Sequence, residues 1–396
     1  MPWTTLTDVT RAGAPRAYPG RVTDAPAPTP LDRRGVNPFD HHPFLAIWEL
    51  TQACDLVCAH CRASATPDRS SGELDTDEGR RLLDDIAAMG TPLVVLTGGD
   101  PAKRPDLVEL VRHGAKAGLV MAVTPSGTSL TQRPLLEELK AAGLARLAVS
   151  VDGHDAATHD AFRGVAGSFD DSVRILETAR EIGLETQVNT SLHGRNVGSL
   201  TEMAALVERV GAALWGVFAL VPTGRASSSM LMGPRRLERI LEQLADIAER
   251  APFDVKTTAA PHFRRILMAR HAKRASLGVL RDVDEHGVVQ GARGITDGVG
   301  FLFVSHEGDV FPSGFLPLPA GNVRQTGVAE IYRDSPLFRS LRDLDQLGGK
   351  CGACPFKRVC GGSRARAFAM KGDALAEDPL CDYVPRGWVP AGEAAS

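Results

Sequence analysis

The sequence predicts an α/β fold built on a parallel β-sheet. Behind a proline-rich beginning, short apolar runs alternate with amphipathic stretches, and this alternation is typical of a parallel sheet with helices packed against it. Six strand–helix units follow one another between residues 43 and 250. They predict a sheet that is either open or curled into a partial barrel. The 396 residues are enough for one such domain and a smaller second one.

The elements are predicted in chain order. Residues 1–42 contain the proline-rich stretch Asp24–Pro30 and little apolar periodicity, so we expect a flexible arm. The apolar, β-branched runs predict the strands Phe44–Leu50, Pro92–Thr97, Leu119–Thr124, Ala145–Val151, Glu185–Leu192 and Leu214–Val221. Helical periodicity predicts one helix after the N-cap candidates Asp75 and Thr76, then Pro105–Ala117, Pro134–Ala142, Phe169–Ile182, Leu200–Val210 and Pro234–Arg250.

The region behind the six units is predicted to contain a bridge and a second domain. In residues 251–300, a strand feeds a helix around Val255–Arg265, and the Gly- and Asp-rich residues 278–300 predict a mobile loop that closes over a substrate. Residues 301–390 form the second domain. It begins with a β-hairpin, because Phe301–Val304 and Asp309–Phe311 are separated by a short turn sequence.

Seven cysteines fall into two groups. Three follow the first strand as C-x3-C-x2-C, namely Cys54, Cys58 and Cys61. Each iron of a cubane [4Fe–4S] cluster usually takes one cysteine thiolate. A site with only three cysteines therefore leaves one iron open to a small molecule. The other four are Cys351, Cys354, Cys360 and Cys381, which are enough to close a second cluster or to bind zinc.

Composition narrows the class of protein. An odd number of cysteines argues against a pure disulfide framework. We expect a cytoplasmic protein, since neither a signal peptide nor a membrane-length apolar run is recognisable. The net charge of −3 gives no reason to expect nucleic-acid binding.

Polar and glycine residues follow each predicted strand, where parallel sheets place their functional groups. The second strand runs into Gly98-Gly99-Asp100-Pro101, and paired glycines allow close approach to the backbone. The later strands deliver Thr124, Ser126, Thr128, Ser150, Asp152, Asn189, Thr190 and the segment Pro222–Arg225. Together these groups predict a ring of polar atoms around the first three cysteines.

These motifs resemble the radical S-adenosylmethionine (radical SAM) enzymes. The family pattern has an aromatic residue before the third cysteine and a glutamate in the second motif, where this chain has His60 and Asp100. The resemblance implies a (β/α)6 partial TIM barrel over residues 43–250 with a small C-terminal α+β iron–sulfur domain. It also implies a [4Fe–4S] cluster that binds SAM, an electron donor such as flavodoxin or ferredoxin, and a deoxyadenosyl radical that abstracts a substrate hydrogen.

The resemblance also implies roles for individual residues. Cys54, Cys58 and Cys61 would hold the cluster. Gly98, Gly99, Asp100, Ser126, Ser150, Arg163 and Asn189 would bind SAM. Within this set, backbone groups of Gly98–Asp100 would meet the methionyl ammonium, and the Arg163 guanidinium would pair with the carboxylate. Two alternatives stay open: Arg163 as a surface ion pair, and Asp152 as the cap of the following helix.

The C-terminal part resembles the SPASM/twitch extension of radical SAM maturases. Full SPASM domains hold two auxiliary clusters and have a cysteine where this chain has Ser313, so we expect one auxiliary [4Fe–4S] cluster, with zinc as the alternative. The segment Cys360–Cys381 is similar to enzymes that modify haem and haem d1 side chains and to mycofactocin-type peptide maturases. The expected substrate is therefore a tetrapyrrole or a peptide. A non-catalytic iron–sulfur or zinc scaffold is the remaining hypothesis.

Substrate-binding residues are the least defined part of the prediction. Lys256, His262 and Arg265 are candidates for holding a substrate carboxylate, and His262 for ligating haem iron. The alternative is a polar helix start whose charges lie in solvent.

Overall fold

The computed structural model describes residues 39–274 and 294–389. Within these residues, ten strands form one sheet in the order β10-β9-β8-β1-β2-β3-β4-β5-β6-β7. The strands are β1 (Leu45–Glu49), β2 (Leu93–Thr97), β3 (Val120–Val123), β4 (Leu144–Ser150), β5 (Thr186–Leu192), β6 (Leu214–Ala219), β7 (Asp254–Thr258), β8 (Phe301–Val304), β9 (Asp309–Phe311) and β10 (Gly321–Asn322). Every pairing from β8 through β1 to β7 is parallel.

Helices connect the strands and cover one face of the sheet. They are α1 (Thr76–Ala88), α2 (Leu107–Lys116), α3 (Arg133–Ala141), α4 (Ala156–Arg163), α5 (Ser168–Glu181), α6 (Leu200–Arg209), α7 (Pro234–Ala248), α8 (His262–Arg274), α9 (Val328–Asp334), α10 (Pro336–Arg342), α11 (Gly349–Gly352) and α12 (Arg364–Lys371). Their apolar faces pack on alternate strand residues such as Ala46 and Trp48, which have no exposed surface. The opposite, concave face carries polar side chains and leaves room for cavities.

The six predicted units are confirmed, with ends that move by a few residues. Asp75 caps α1 as expected, and its side chain and that of Glu78 satisfy each other's backbone amides. The structure adds α4, which the sequence analysis did not assign. It also makes β7 a member of the sheet, parallel to β6, instead of a separate bridging strand.

The predicted hairpin is confirmed and extends the main sheet. Strands β8 and β9 are antiparallel, but β8 also pairs in parallel with β1, Leu45 opposite Phe301 and Trp48 opposite Val304. The expected domain boundary at residue 301 therefore falls inside a continuous sheet, and the four-part division of the chain stays a prediction. The predicted arm before residue 39 lies outside the described residues, as does most of the predicted 278–300 loop.

A buried charge network ties the C-terminal part to the sheet. The Arg366 guanidinium donates two hydrogen bonds to the Asp378 carboxylate, at 2.9 and 2.7 Å, and neither residue has exposed surface. A third bond, 2.7 Å long, runs from Arg366 to the carbonyl oxygen of Ala259, just behind β7. Because each buried charge is paired, the network holds this junction in one geometry.

Among the residues that the structure describes, none of the helices has the length and apolar character that a membrane span requires.

The packing of α1 on β1 depends on Gly79. A Cβ at this position would collide with the Trp48 ring and lie 3.0 Å from Leu110 Cδ2. We expect Gly79→Ala to lower the free energy of unfolding by about 1–3 kcal/mol in urea unfolding, because the core is overpacked. Gly198→Ala is the control, since a Cβ there meets open space. A more stable Gly79→Ala protein would mean that helix propensity dominates and that the contact is not tight.

Candidate active site

The first three cysteines meet the strand ends at one cavity. We call it the strand-end cavity; its volume is about 200 Å³. It is lined by Cys54, Cys58, Cys61, Gly98, Gly99, Ser126, Ser150, Arg163 and Asn189, and by residues 218–221, Thr223 and Phe315. Every predicted SAM-site residue except Asp100 therefore lies on its wall. The structure brings the wall residues together from the ends of six strands, β1 to β6, and from α4, with Phe315 from the C-terminal part.

The sulfur atoms face hydrogen-bond donors. Backbone amides of Leu56 and Ala65 donate to the Sγ atoms of Cys54 and Cys61, both at 3.4 Å, and Arg163 Nη1 lies 3.9 Å from Cys58 Sγ. Donors directed at sulfur stabilise thiolates and tune iron–sulfur clusters. All seven cysteines, each within the described ranges, are free of disulfides. The donor set thus fits an iron–sulfur cluster held by three thiolates.

Two glycine turns hold the backbone of the cysteine loop, residues 51–65, from opposite sides. Behind β2, the Gly99 and Asp100 amides donate to the Thr51 and Ala53 carbonyls, both at 2.7 Å, and a Cβ on Gly99 would collide with Ala53. The paired glycines are therefore needed for contact with the protein's own backbone. The sequence suggested that they allow a ligand to approach the backbone; the structure shows that they also allow the cysteine loop to approach it.

The second turn follows β6. Arg225 donates to the Cys58 carbonyl at 2.9 Å and to the Ala65 carbonyl at 3.2 Å. Gly224 has φ +61, and a Cβ there would collide with the Cys61 carbonyl. The sequence showed this segment only as one more strand end. Its role as a brace depends on contacts across more than 150 residues, which no local pattern encodes.

Asp100 does not line the strand-end cavity but binds residues of its wall. Its carboxylate has no exposed surface and accepts hydrogen bonds from Ser126 Oγ at 2.6 Å and Thr128 Oγ1 at 2.7 Å. The loop that follows β3 is thereby fixed to the turn that follows β2. The neighbouring strands β4 and β5 place Ser150 opposite Asn189, side by side on the cavity wall.

Arg163 forms a buried ion pair, so its interpretation as a surface pair is wrong. Its Nε donates to Asp152 Oδ2 at 2.7 Å. Asp152 is not the helix cap either, because Asp155 caps α4 by accepting from the Thr158 amide. Burial alone would raise the pKa of Asp152, but the Arg163 guanidinium holds it below its usual range. The pair leaves the Nη1 side of Arg163 directed at Cys58.

His60 stands where the family pattern has an aromatic residue, and its ring stacks on neighbouring rings as an aromatic side chain would. Its ring stacks on Phe162 with centroids 4.2 Å apart, and Phe162 stacks on His193 at 3.8 Å. Burial lowers the pKa of His60 to about 4, so the ring is neutral near pH 7. A neutral imidazole can fill an aromatic position in such a stack.

The four C-terminal cysteines line a second, smaller cavity with His262, Arg265 and Tyr383. Arg364 Nη2 and the Asp378 amide each donate to Cys351 Sγ at 3.4 Å. Asp297 accepts a hydrogen bond from the Ser313 hydroxyl, so the position of a further cysteine in full SPASM domains is held by a serine–aspartate pair. Four cysteines on one cavity wall supply the type and number of ligands that one metal centre needs.

The three substrate-binding candidates do not form one cluster. His262 is buried and lies 3.1 Å from Asp378; burial alone would lower its pKa, but the Asp378 carboxylate raises it to about 9. Arg265 binds Glu238 at 2.5 and 2.7 Å. Both line the C-terminal cysteine cavity, whereas Lys256 lines a different one. The expectation of charges in solvent is wrong for His262 and Arg265, which are 1% and 8% exposed.

Comparison with known proteins places these sites in a family. Residues 48–207 match the model of the radical SAM superfamily. The AdoMet-dependent heme synthase of Methanosarcina barkeri is 43% identical over 87% of this chain and 97% of that protein. Mycofactocin maturase MftC of Mycobacterium ulcerans is 30% identical, covering 88% of this chain and 91% of that protein. The fold is similar to the crystal structure of Streptococcus suis SuiB bound to S-adenosylmethionine, with TM-score 0.67, 16% identity, and coverage of 87% and 78% of the two chains.

The brace behind β6 gives a testable prediction. Gly224→Ala should displace the cysteine loop, so we expect at least a twofold lower iron content at this site after anaerobic reconstitution. Addition of SAM should also perturb the electron paramagnetic resonance signal of the reduced protein less than in wild type. Gly167→Ala is the matched control, because Gly167 has φ +85 but open space around its Cα. If both variants lose the same amount of iron, backbone strain alone explains the effect and the contact between Gly224 and the cysteine loop does not contribute.

Proposed function

This chain belongs to the radical SAM superfamily and is a radical SAM enzyme, and we propose that its substrate is a haem-type tetrapyrrole whose propionate side chains it modifies. The observation that carries the proposal is the 43% identity to a heme synthase over nearly the whole length of both proteins. Membership in a family of enzymes makes the hypothesis of a non-catalytic scaffold wrong. It leaves the substrate as the question to be tested.

The proposed reaction is an oxidative decarboxylation. When bound, the cluster and SAM supply a 5′-deoxyadenosyl radical, which takes one hydrogen atom from the substrate. A propionate arm becomes a vinyl group if that hydrogen comes from the carbon attached to the ring. The bond to the carboxylate then breaks, CO₂ leaves, and one electron passes to an external one-electron acceptor. Each arm thus consumes one SAM and one electron from a donor such as flavodoxin or ferredoxin, and yields methionine, 5′-deoxyadenosine and CO₂.

We assign the strand-end cavity to the cluster and SAM. Cys54, Cys58 and Cys61 would hold the cluster, because their sulfurs share the cavity wall. The Gly99 and Asp100 amides donate to the cysteine loop, and the Asp100 carbonyl accepts from the Lys103 amide. The carbonyl oxygens of Gly98 and Gly99 are therefore the groups suited to the methionyl ammonium.

The rest of the wall completes the SAM site. Ser126, Ser150 and Asn189 would bind the ribose and carboxylate, and Arg163 would present Nη1 to the carboxylate. In this assignment Asp152 is a positioning residue. It holds the guanidinium by Nε and leaves the other edge to the ligand.

We assign one auxiliary [4Fe–4S] cluster to Cys351, Cys354, Cys360 and Cys381. Support comes from the cavity that all four line and from the donors on Cys351 Sγ. Zinc bound by four cysteines is the competing assignment. Oxygen-sensitive thiolate chemistry in a chain whose cysteines are free supports a cytoplasmic location.

Peptide maturation is the second candidate function. It is favoured by the 30% identity to mycofactocin maturase MftC over most of both chains. The two functions differ in what the protein binds. An iron tetrapyrrole absorbs visible light and carries propionate carboxylates, whereas a precursor peptide lacks the porphyrin and its visible absorbance.

The substrate assignment is tested with anaerobically reconstituted protein, SAM, dithionite and iron coproporphyrin III, which bears propionate side chains. We expect 5′-deoxyadenosine and CO₂ to form in equal amounts and the porphyrin to acquire vinyl groups. Cys58→Ala should form neither product, because it removes a ligand of the first cluster. Release of 5′-deoxyadenosine without CO₂, together with modification of a precursor peptide, would favour the second candidate.

Iron counting tests the auxiliary site. We expect about eight irons per chain in the reconstituted protein and about four after Cys54, Cys58 and Cys61 are all replaced by alanine. The remaining iron should give the spectrum of a [4Fe–4S] cluster. If the triple variant retains about one zinc and no iron, the C-terminal cysteines form a structural zinc site instead.

A further inference from the structure

A separate cavity lies inside the curved sheet. We call it the lumen cavity; its volume is about 200 Å³. Its wall includes Leu45, Leu93, Arg146, Leu214, Lys256 and Phe301, which come from β1, β2, β4, β6, β7 and β8. Residues from both ends of the row of parallel strands can share one cavity only on the concave face. The cavity is therefore enclosed by the barrel.

The lumen cavity adjoins the strand-end cavity. Phe315 lines both cavities, and its ring lies 6.4 Å from that of Phe218, which lines the strand-end cavity. A molecule seated in the lumen would therefore be separated from the SAM site by one aromatic side chain. A substrate must lie at such a position to meet a radical formed there.

Lys256 brings a charge into this enclosed space. It makes no hydrogen bond or ion pair with any residue that the structure describes, and it lines the lumen cavity. Burial lowers the pKa of Lys256 to about 8, and nearby Arg146 contributes in the same direction. Lys256 is half-buried, and a cation largely withdrawn from water without an anionic partner is costly, so such positions are often ligand sites.

Gly216 makes room for this lysine. A Cβ on Gly216 would lie 3.6 Å from Lys256 Cε and only 2.6 Å from Asn189 Oδ1. The absent side chain opens the wall of β6 between the lysine and the predicted SAM residue Asn189. Lys256 therefore lies on the side of the lumen cavity that faces the predicted SAM site.

Other charged groups of the lumen cavity already have partners. Arg146 donates to Glu185 at 2.5 Å, and Arg264 donates to the Val359 carbonyl at 3.2 Å. Asp297 accepts from the Ala365 amide at 3.0 Å and from the Ser313 hydroxyl. Among the cations that the structure describes on this wall, Lys256 is the one left for an incoming anion.

We infer that Lys256 binds a carboxylate of the substrate in the lumen cavity, an assignment that rests on the proposed tetrapyrrole function. The carboxylate it binds is one that the reaction leaves in place. An ion pair with the departing carboxylate would be lost as neutral CO₂ forms, and an interaction stronger in the ground state than in the transition state slows a reaction. Lys256 thus orients the tetrapyrrole through a propionate that is not consumed.

The test is a binding titration. Holoenzyme containing its clusters is titrated with iron coproporphyrin III and followed by the change in visible absorbance. We expect Lys256→Met to raise the Kd by about 10- to 100-fold, the range of one lost charge-assisted hydrogen bond. Lys256→Arg should retain most of the affinity because it retains the charge. Lys116→Met, on the exposed end of α2, is the matched control and should bind like wild type.

The methyl ester of the same porphyrin separates a charge effect from a packing effect. The ester should bind wild type as weakly as the acid binds Lys256→Met, and the variant should show no further loss. If the acid binds Lys256→Met within twofold of wild type, the assignment of Lys256 is overturned while the tetrapyrrole function stands. If wild-type holoenzyme binds neither porphyrin, the proposed function fails and the assignment fails with it.

Discussion

The site depends on how closely the backbone of the cysteine loop packs between two turns. On one side Gly99, behind β2, touches the Ala53 carbonyl; on the other Gly224, behind β6, touches the carbonyl of Cys61. Strand β2 is adjacent to β1, but β6 lies five strands away along the sheet. The loop therefore bridges the mouth of the partial barrel. Any side chain at either glycine would push the three sulfurs out of a common cavity, so the curvature of the sheet and the cysteine geometry depend on each other.

At each of the two cysteine sites, a buried arginine contacts a cysteine sulfur and is held by further hydrogen bonds. At the first, Arg163 contacts Cys58 and is neutralised by Asp152. At the second, Arg364 contacts Cys351, while the carboxylate of Asp378 is balanced by a neighbouring arginine and its own amide also donates to Cys351. Positive groups beside sulfur favour thiolates. A carboxylate compensates the buried arginine at the first site, and the carbonyl oxygens of Ala374 and Ala376 accept hydrogen bonds from Arg364 at the second. Such pairing gives each site a fixed arrangement before any cofactor binds.

Much of this arrangement could be predicted from local sequence. Strand periodicity located β1 to β6, and the spacing of the cysteines separated an open set of three from a closed set of four. What could not be predicted were partners distant in sequence. The pairing of β8 with β1 and the contact between His262 and Asp378 each span more than 100 residues. For Asp152, the sequence offered a place among the polar groups at the strand ends or a role as a helix cap, and neither included its ion pair with Arg163. Hydrophobic periodicity specifies which face is buried, but it does not specify which buried charge meets which.

The chain divides its chemistry and its substrate contacts between different stretches. The superfamily match ends at residue 207, and every cysteine-loop and strand-end residue proposed to bind SAM lies before that point. Lys256 and Phe315, which line the lumen cavity, both lie beyond it. Relatives named as heme synthase and as mycofactocin maturase align with 87% and 88% of this chain, so both stretches are present in each of them. We therefore expect β7 and the segments behind it, which contain Lys256 and Phe315, to influence substrate choice without altering the cysteine loop. In this assignment the lumen cavity, not the cysteine loop, is where a tetrapyrrole would be distinguished from a peptide.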